Sequence, residues 1–285
     1  MAQELEIKLS VAQADLDRAV SWLLGQPNTC ESETLQLGNT YYDTPAGDLN
    51  RQKIALRIRK MGDRYIQTLK TRGEFVGGAH RRQEWEWPLI GTKLRMGLIA
   101  DTPVGQSVNL AELRPVFETN FERRVVMIEQ GETLIEVAID SGEIVAGGEA
   151  RPLNEIEFEL KGGDAAALLT WARRLADEVP VFLNLVSKAE QGYFQAGLYK
   201  PAMNAGTDSE LAVNDFLFQL SVSWLTGEPV PIHQDELGVI EQLADERGVR
   251  ALYQHVTAAL AEGRSVRELL SGRELGQLQL AIAAG

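Results

Sequence analysis

AQELEIKLS, residues 2–10, alternates charged and apolar side chains: Glu4, Glu6 and Lys8 share one face, and Leu5, Ile7 and Leu9 share the other. Period two is the signature of a β-strand with one dry side. The charged side sets two like charges about 7 Å apart, the i to i+2 spacing along a strand, and follows them with a cation. Taken alone, the segment reads as the half-solvated face of an antiparallel sheet.

The same texture recurs along the chain, and the recurrence changes the reading. LRIRK, residues 56–60, puts Arg57 and Arg59 opposite Leu56 and Ile58, and TLK ends on Lys70. EWEW places Glu84 and Glu86 together, and NEIEFEL sets Glu155, Glu157 and Glu159 opposite Ile156, Phe158 and Leu160. Arg123 or Arg124, and Asp140, add charges to two further runs. Solvated faces mix Thr, Ser, Lys, Glu and Gln, whereas three glutamates on one face repel one another unless a cation lies among them. Acid-only and base-only strands in one sheet therefore point to a shared cation and a shared anion. Oxygen ligands without a His or Cys cluster suit a hard ion, Mg²⁺ or Mn²⁺. Clustered Arg and Lys suit phosphate oxygens.

A geometry follows. About eight antiparallel strands can close into a barrel. If the apolar faces turn outward, helices over 11–25 and 164–178 cover them and the charged faces line the interior, an open tunnel for water, metal and ligand. The expected class is α+β: a closed eight-stranded antiparallel β tunnel with a charged interior and covering helices, plus a small C-terminal all-α region.

The rest of the chain is consistent with this reading. It has 285 residues, 44% of them hydrophobic and 24% charged, which suits a globular protein. A net charge of −13 disfavours nucleic acid as a partner, although the 28 basic residues can still gather an anion locally. No apolar run is long enough for a membrane span, and no signal peptide opens the chain. The single cysteine, Cys30, leaves no internal disulfide, and His80, His233 and His255 are too scattered for a shared metal site. The cytoplasm is the default location, and a homo-oligomer remains open. Residues 1–200 read as the tunnel domain, 201–210 as a linker and 211–285 as a short helical domain. NTYYDTPAGDLNRQK (39–53) reads as turn chemistry, residues 91–113 as mixed with short helical turns, QGE (130–132) and SGE (141–143) as turns between β-runs, and Asp164 as a helix N-cap.

Taken jointly, Glu4-x-Glu6-x-Lys8, YYDTP (41–45), LRIRK (56–60), TLK (68–70), FERR (121–124), EIEFEL (155–160) and SKAEQGY (187–193) resemble the CYTH family, the triphosphate tunnel metalloenzymes, in the family's order. Within it the chain is similar to bacterial inorganic triphosphatases, in which a helical CHAD domain follows. Residues 211–285 depart from that domain: they are short and carry only His233 and His255. A structural or oligomerising module is the expectation there. The resemblance implies metal-dependent hydrolysis of inorganic triphosphate to pyrophosphate and phosphate. It implies substrate binding by Lys8, Arg57, Arg59, Lys70, Arg123 and Lys188. It implies metal binding by Glu4, Glu6, Glu155, Glu157, Glu159 and Asp140, and catalytic roles for Glu4, Glu6 and Lys8. The same tunnel could instead serve an adenylate cyclase, a thiamine or nucleoside triphosphatase, or a non-catalytic polyphosphate-binding module.

Overall fold

A computed structural model of the chain describes residues 2–76, 78–201 and 211–283. Among them, eight antiparallel strands close into a ring. They are β1 (Ala2–Val11), β2 (Thr29–Asp43), β3 (Ala55–Met61), β4 (Arg64–Lys70), β6 (Ala79–Leu89), β7 (Arg114–Gln130), β8 (Thr133–Ala146) and β9 (Glu149–Gly162), with the short β5 (Glu74–Val76) and β10 (Val181–Leu183) lying outside the ring. The order is β1-β9-β8-β7-β2-β3-β4-β6, and β6 returns to β1 through Glu4↔Arg82 and Glu6↔His80. β1 can serve three neighbours because Glu6–Ser10 pair with β9 on one edge, while its other edge meets β6 over Ala2–Glu6 and β10 over Leu9–Val11. The closed barrel expected from sequence is present.

Closure makes the period-two pattern into an inside and an outside. Ile7 and Leu9 of β1, Ile135, Val137 and Ile139 of β8, and Ile156 and Phe158 of β9 turn outward into one large apolar core. That core also takes Leu16, Val20 and Leu23 of α1 (Leu16–Leu24) and Leu168, Trp171 and Leu175 of α4 (Ala166–Ala176). The N-cap of α4 is Ala165, not the expected Asp164; Asp164 stands one residue earlier, where its Oδ1 accepts the Ala166 N–H at 3.0 Å. A second outer cluster packs Leu56 and Leu69 against Leu49 of α2 (Asp48–Arg51) and Ile99 of α3 (Met96–Ala100), with Trp85 and Trp87 at its border.

The C-terminal helices α6 (Val213–Thr226), α7 (Gly238–Glu246), α8 (Arg250–Ala261), α9 (Val266–Leu269) and α10 (Glu274–Ile282) share the large core with the barrel. Gln279 of α10 satisfies both the N–H and the carbonyl of Leu183, each at 3.0 Å, and Ser221 of α6 accepts the Leu185 N–H. Most of the expected linker, residues 202–210, lies outside the described residues. No described helix is long and apolar enough to cross a membrane.

Three local expectations are corrected. Asn39–Asp43 is the end of the fifteen-residue β2, which sequence reading did not assign before Asn39. The turn begins only at Asp43, whose carboxylate accepts the N–H groups of Thr44, Leu49 and Asn50 at 2.7–2.9 Å and so holds α2 against the barrel. SGE is no turn: β8 runs straight through Gly142, and a side chain there would collide with the backbone of Asn120 and Phe121 on β7. The lumen is also not charged throughout. At one end the inward faces of β2, β7, β8 and β9 are apolar (Leu37, Tyr41, Phe117, Phe121, Ile144, Leu153), and α5 (Lys188–Gln195) fills that end with Ala189 and Tyr193.

α5 fits because Gly192 lies flat against the Phe117 ring, where a Cβ would meet the ring carbons directly. Gly192→Ala is therefore expected to lower stability by about 1–3 kcal/mol through overpacking, although alanine is the better helix former. Denaturant unfolding checks this, and an unchanged or raised midpoint would contradict the packing account.

Candidate active site

The remaining lumen is a cavity of about 370 Å³ with a dense ionic lining. Strand register sets the arrangement. Lys8 of β1 stands opposite Glu157 of β9, and Glu6 opposite Glu159, which in turn faces Glu136 of β8. On the other side of β1, Glu4 meets Arg82 of β6; Glu84 of β6 meets Lys70 of β4. Arg57 and Arg59 of β3 stand opposite Tyr41 and Asn39 of β2.

Of the residues expected from sequence, Glu4, Glu6, Lys8, Arg57, Arg59, Lys70, Arg123, Glu157, Glu159 and Lys188 all line this cavity. Arg123 points inward, while Arg124 pairs with Glu31 on the outer side at 3.0 Å. Asp140 and Glu155 are not brought to the cavity wall: both are fully buried one level further along their strands, against Arg123 and Lys188. Glu84 and Glu86 line the cavity as well. Sequence reading missed Arg82, Glu136 and Lys161. Each had a usable signal, since Arg82 shares parity with Glu84 and Glu86, Glu136 with Asp140, and Lys161 with Glu159.

The charges fall into three groups. In the first, Lys70 Nζ bridges both oxygens of Glu4 at 2.8 and 2.9 Å, and Arg82 spans Glu4 and Glu6 at 2.8 and 2.7 Å. In the second, Arg123 and Lys188 hold Glu157 at 2.9 and 2.7 Å, and Lys161 binds Glu159 at 2.7 Å. The third is Arg57 and Arg59, which make no ion pair among the described residues. Arg59 Nε donates to Asn39 Oδ1 at 2.9 Å, and Arg57 reaches only the Tyr41 hydroxyl at 3.5 Å. Arg57 Nε is buried with no hydrogen-bond partner. Leaving a buried charged donor unmatched is costly, and an anion in the cavity would remove that cost.

Proton affinities follow from these neighbours. Burial works to raise the Glu4 carboxyl, but Lys70 and Arg82 outweigh it and hold it well below the usual carboxylate range. For Glu6, burial with the like charges of Glu4 and Glu157 outweighs Arg82 and the more distant Lys70, and pushes it up to about 7. Burial lowers Lys8, with Lys188 adding to the effect against Glu155; its ammonium donates to the Val186 carbonyl. Burial, with Arg82 and Lys8, pushes His80 down to about 3, leaving a neutral imidazole stacked on Phe75. Burial, then Arg57 and Arg123, lowers Arg59.

Divalent metal is a matter of donor chemistry here. Glu4, Glu6, Glu136, Glu157 and Glu159 offer only carboxylate oxygens, the donors a hard divalent ion takes. Among the described residues, no three His, Cys, Asp or Glu side chains already converge on one point, because each of these carboxylates except Glu136 is held closely by a cation. The set fits such an ion in kind, with ligation requiring carboxylates to turn from their cations.

The chain is similar to several known proteins. The chain is 38% identical over 195 residues to the inorganic triphosphatase of Haemophilus influenzae, an alignment covering 68% of this chain and 55% of that protein. The chain thus spans about half the length of that relative. Among solved structures, it is similar to an adenylyl cyclase candidate from Hippeastrum reported to have a dominant triphosphatase activity (20% identity, 70% of this chain and 98% of that one, TM-score 0.49). It is also similar to an adenylate cyclase candidate from Bacillus halodurans (15% identity, 71% and 95%, TM-score 0.40). The CYTH domain matches residues 2–193, the segment that builds the barrel, its cavity and most of the plugging helix, and the chain belongs to the CYTH family.

Proposed function

We propose that this protein hydrolyses inorganic triphosphate to pyrophosphate and phosphate in a Mg²⁺- or Mn²⁺-dependent reaction. The observation that carries the reading is the pair Arg57, buried, and Arg59, half-buried, both lining the cavity with no carboxylate partner among the described residues, across a lumen whose other walls carry glutamates. Such a lumen suits a polyanion accompanied by cations. The name of the Haemophilus influenzae relative supports the choice of triphosphate.

In this reading Arg57 and Arg59 take the phosphate oxygens that no carboxylate contests, and Lys8, Lys70, Arg123 and Lys188 complete the cradle, with Arg82 beside them. Glu4, Glu6, Glu157 and Glu159 would hold the divalent ion. The ion supplies polarisation of the phosphate and activation of water. Glu4 stays ionised beside Lys70 and Arg82, and Glu6, on the cavity wall beside it, orients the attacking water. Lys8, whose ammonium burial destabilises, donates to a phosphate oxygen and helps to hold it at the cavity wall. Positioning and electrostatics carry most of the acceleration in phosphoryl transfer. Residues 1–200 form the catalytic unit in this reading, and 211–285 act as a buttress, which the hydrogen bonds of Gln279 and Ser221 to residues 183 and 185 support. The single exposed, unpaired Cys30 accords with a cytoplasmic setting.

A second reading, an organic triphosphate as substrate, is favoured by one feature. A side cavity of about 230 Å³ adjoins the lumen, sharing Lys70, His80 and Arg82 with it and walled by Phe75, Tyr193 and Phe218.

Phosphate release from tripolyphosphate, ATP and thiamine triphosphate separates these readings. Tripolyphosphate with Mg²⁺ or Mn²⁺ is expected to be turned over fastest; a clear preference for ATP, or cyclic product from it, would move the assignment to the second reading. Glu6→Ala should abolish turnover, and normal turnover in that variant removes the metal-site role. Arg57→Ala should raise KM for tripolyphosphate about 10- to 100-fold, the worth of a hydrogen bond to a charged group. An unchanged KM rules out the phosphate clamp.

The raised Glu6 carboxyl also predicts a pH effect on stability without metal. A carboxyl with folded-state proton affinity above its unfolded value binds the extra proton in the folded state, so stability falls as pH rises from the ordinary 4.5 through about 7. His80, lowered to about 3, acts oppositely up to its ordinary 6.5. The informative quantity is therefore the difference between Glu6→Gln and wild type, in which His80 cancels. The variant should gain on wild type between pH 5 and pH 8, by on the order of 2 kcal/mol. A difference that is flat over that range in denaturant titrations would show that Glu6 does not hold its proton near neutrality.

A further inference from the structure

The acidic residues of β8, β9 and β1 lie in three successive levels. Glu136, Glu159 and Glu6 form the first; Ala138, Glu157 and Lys8 the second; Asp140, Glu155 and Ser10 the third. Only the first two reach the cavity. At the third, Asp140 and Glu155 are 0% and 1% exposed, and both are engaged by cations rooted in the cavity wall.

The contacts are specific. Arg123 grips Asp140 with both arms, Nε to Oδ1 and Nη2 to Oδ2, each at 2.7 Å. Lys188 Nζ lies 3.0 Å from Asp140, 2.7 Å from Glu155 and 2.7 Å from Glu157. Gln191, one turn on in α5, donates to the other oxygen of Glu155 at 2.7 Å. The Phe121 ring supports both cations, with Arg123 Cζ and Lys188 Nζ each 5.7 Å from its centre. Lys188 is also the first residue of α5, after the Ser187 cap. A cation at a helix N-terminus is opposed by the aligned peptide dipoles, so Lys188 keeps its place only because buried carboxylates compensate.

We propose that Asp140 and Glu155 are positioning residues that aim Arg123 and Lys188 into the lumen, and that neither ligates the divalent ion. A bidentate carboxylate fixes the plane of the Arg123 guanidinium, and two carboxylates behind the Lys188 ammonium fix its height in the cavity. Their effect reaches the substrate through those two cations. The inference rests on the triphosphate reading for its ligand, but its readout needs no turnover.

The test measures tripolyphosphate binding by calorimetry in EDTA, and Mn²⁺ binding without phosphate, for wild type, Asp140→Asn and Glu155→Gln, each checked for fold by circular dichroism. Both variants are expected to bind metal-free tripolyphosphate about tenfold more weakly or worse, the range seen when outer-shell partners are lost, with wild-type Mn²⁺ affinity. Their KM should rise more than their kcat falls. Glu155→Gln should add little to Lys188→Met, because it acts through that lysine. Weakened Mn²⁺ binding with unchanged metal-free tripolyphosphate binding would overturn the inference and make these residues metal ligands. Should Asp140→Asn fail to fold, Glu155→Gln leaves the Arg123–Asp140 pair intact and carries the same comparison through Lys188. A wild type that binds tripolyphosphate but does not hydrolyse it counts against the proposed function alone.

Discussion

A charge taken out of water without compensation costs several kcal/mol, and this barrel encloses more than a dozen. Mutual neutralisation within the lumen is the constraint from which the rest follows. Lys70 and Arg82 answer Glu4 and Glu6, and Arg123 and Lys188 answer Asp140, Glu155 and Glu157. Antiparallel pairing makes those answers possible, because residues directly opposite one another on neighbouring strands share a face. Ring closure then turns a series of cross-strand pairs into a continuous lining. Arg57 and Arg59 are the exception, and a ligand site is the expected place for charge left uncompensated.

Neutralisation alone does not set how far the ionic region extends. The aromatic and aliphatic cluster around Phe117 and Tyr193 does so by filling one end of the ring, and Gly192 lets α5 approach closely enough to seal it. α5 therefore has two duties with opposite chemistry. Its Tyr193 and Ala189 join the apolar cluster, and Lys188 at its first position joins the ionic network. The side chain that meets the cavity is thereby held by helix packing below it and by carboxylates around it.

The outer face obeys the complementary rule. Strands charged within must be apolar without, and an exposed apolar barrel surface would associate with anything similar. α1 and α4 cover part of it, and the helices after residue 211 continue the same core rather than building a separate one. Gln279 meets the backbone of β10, an edge strand with a free hydrogen-bonding side, and so closes an edge as well as burying a face.

Sequence alone determined which side of each strand is charged, because side-chain direction alternates with period two whatever the tertiary context. That was enough for the barrel and for Glu4, Glu6, Lys8, Arg57, Arg59 and Lys70 in one lumen; the choice of Arg123 over Arg124 came from the family resemblance instead. Parity also pointed to Arg82, Glu136 and Lys161, but isolated charges in a run carry no sign that a neighbouring strand will meet them. Depth along a strand has no local signature: Glu155, Glu157 and Glu159 are equivalent in sequence, yet one lies beneath the plugging helix and two at the cavity wall. Only the tertiary structure decided that, because register against β1 and β8 and the reach of α5 are set by contacts between residues far apart in the chain.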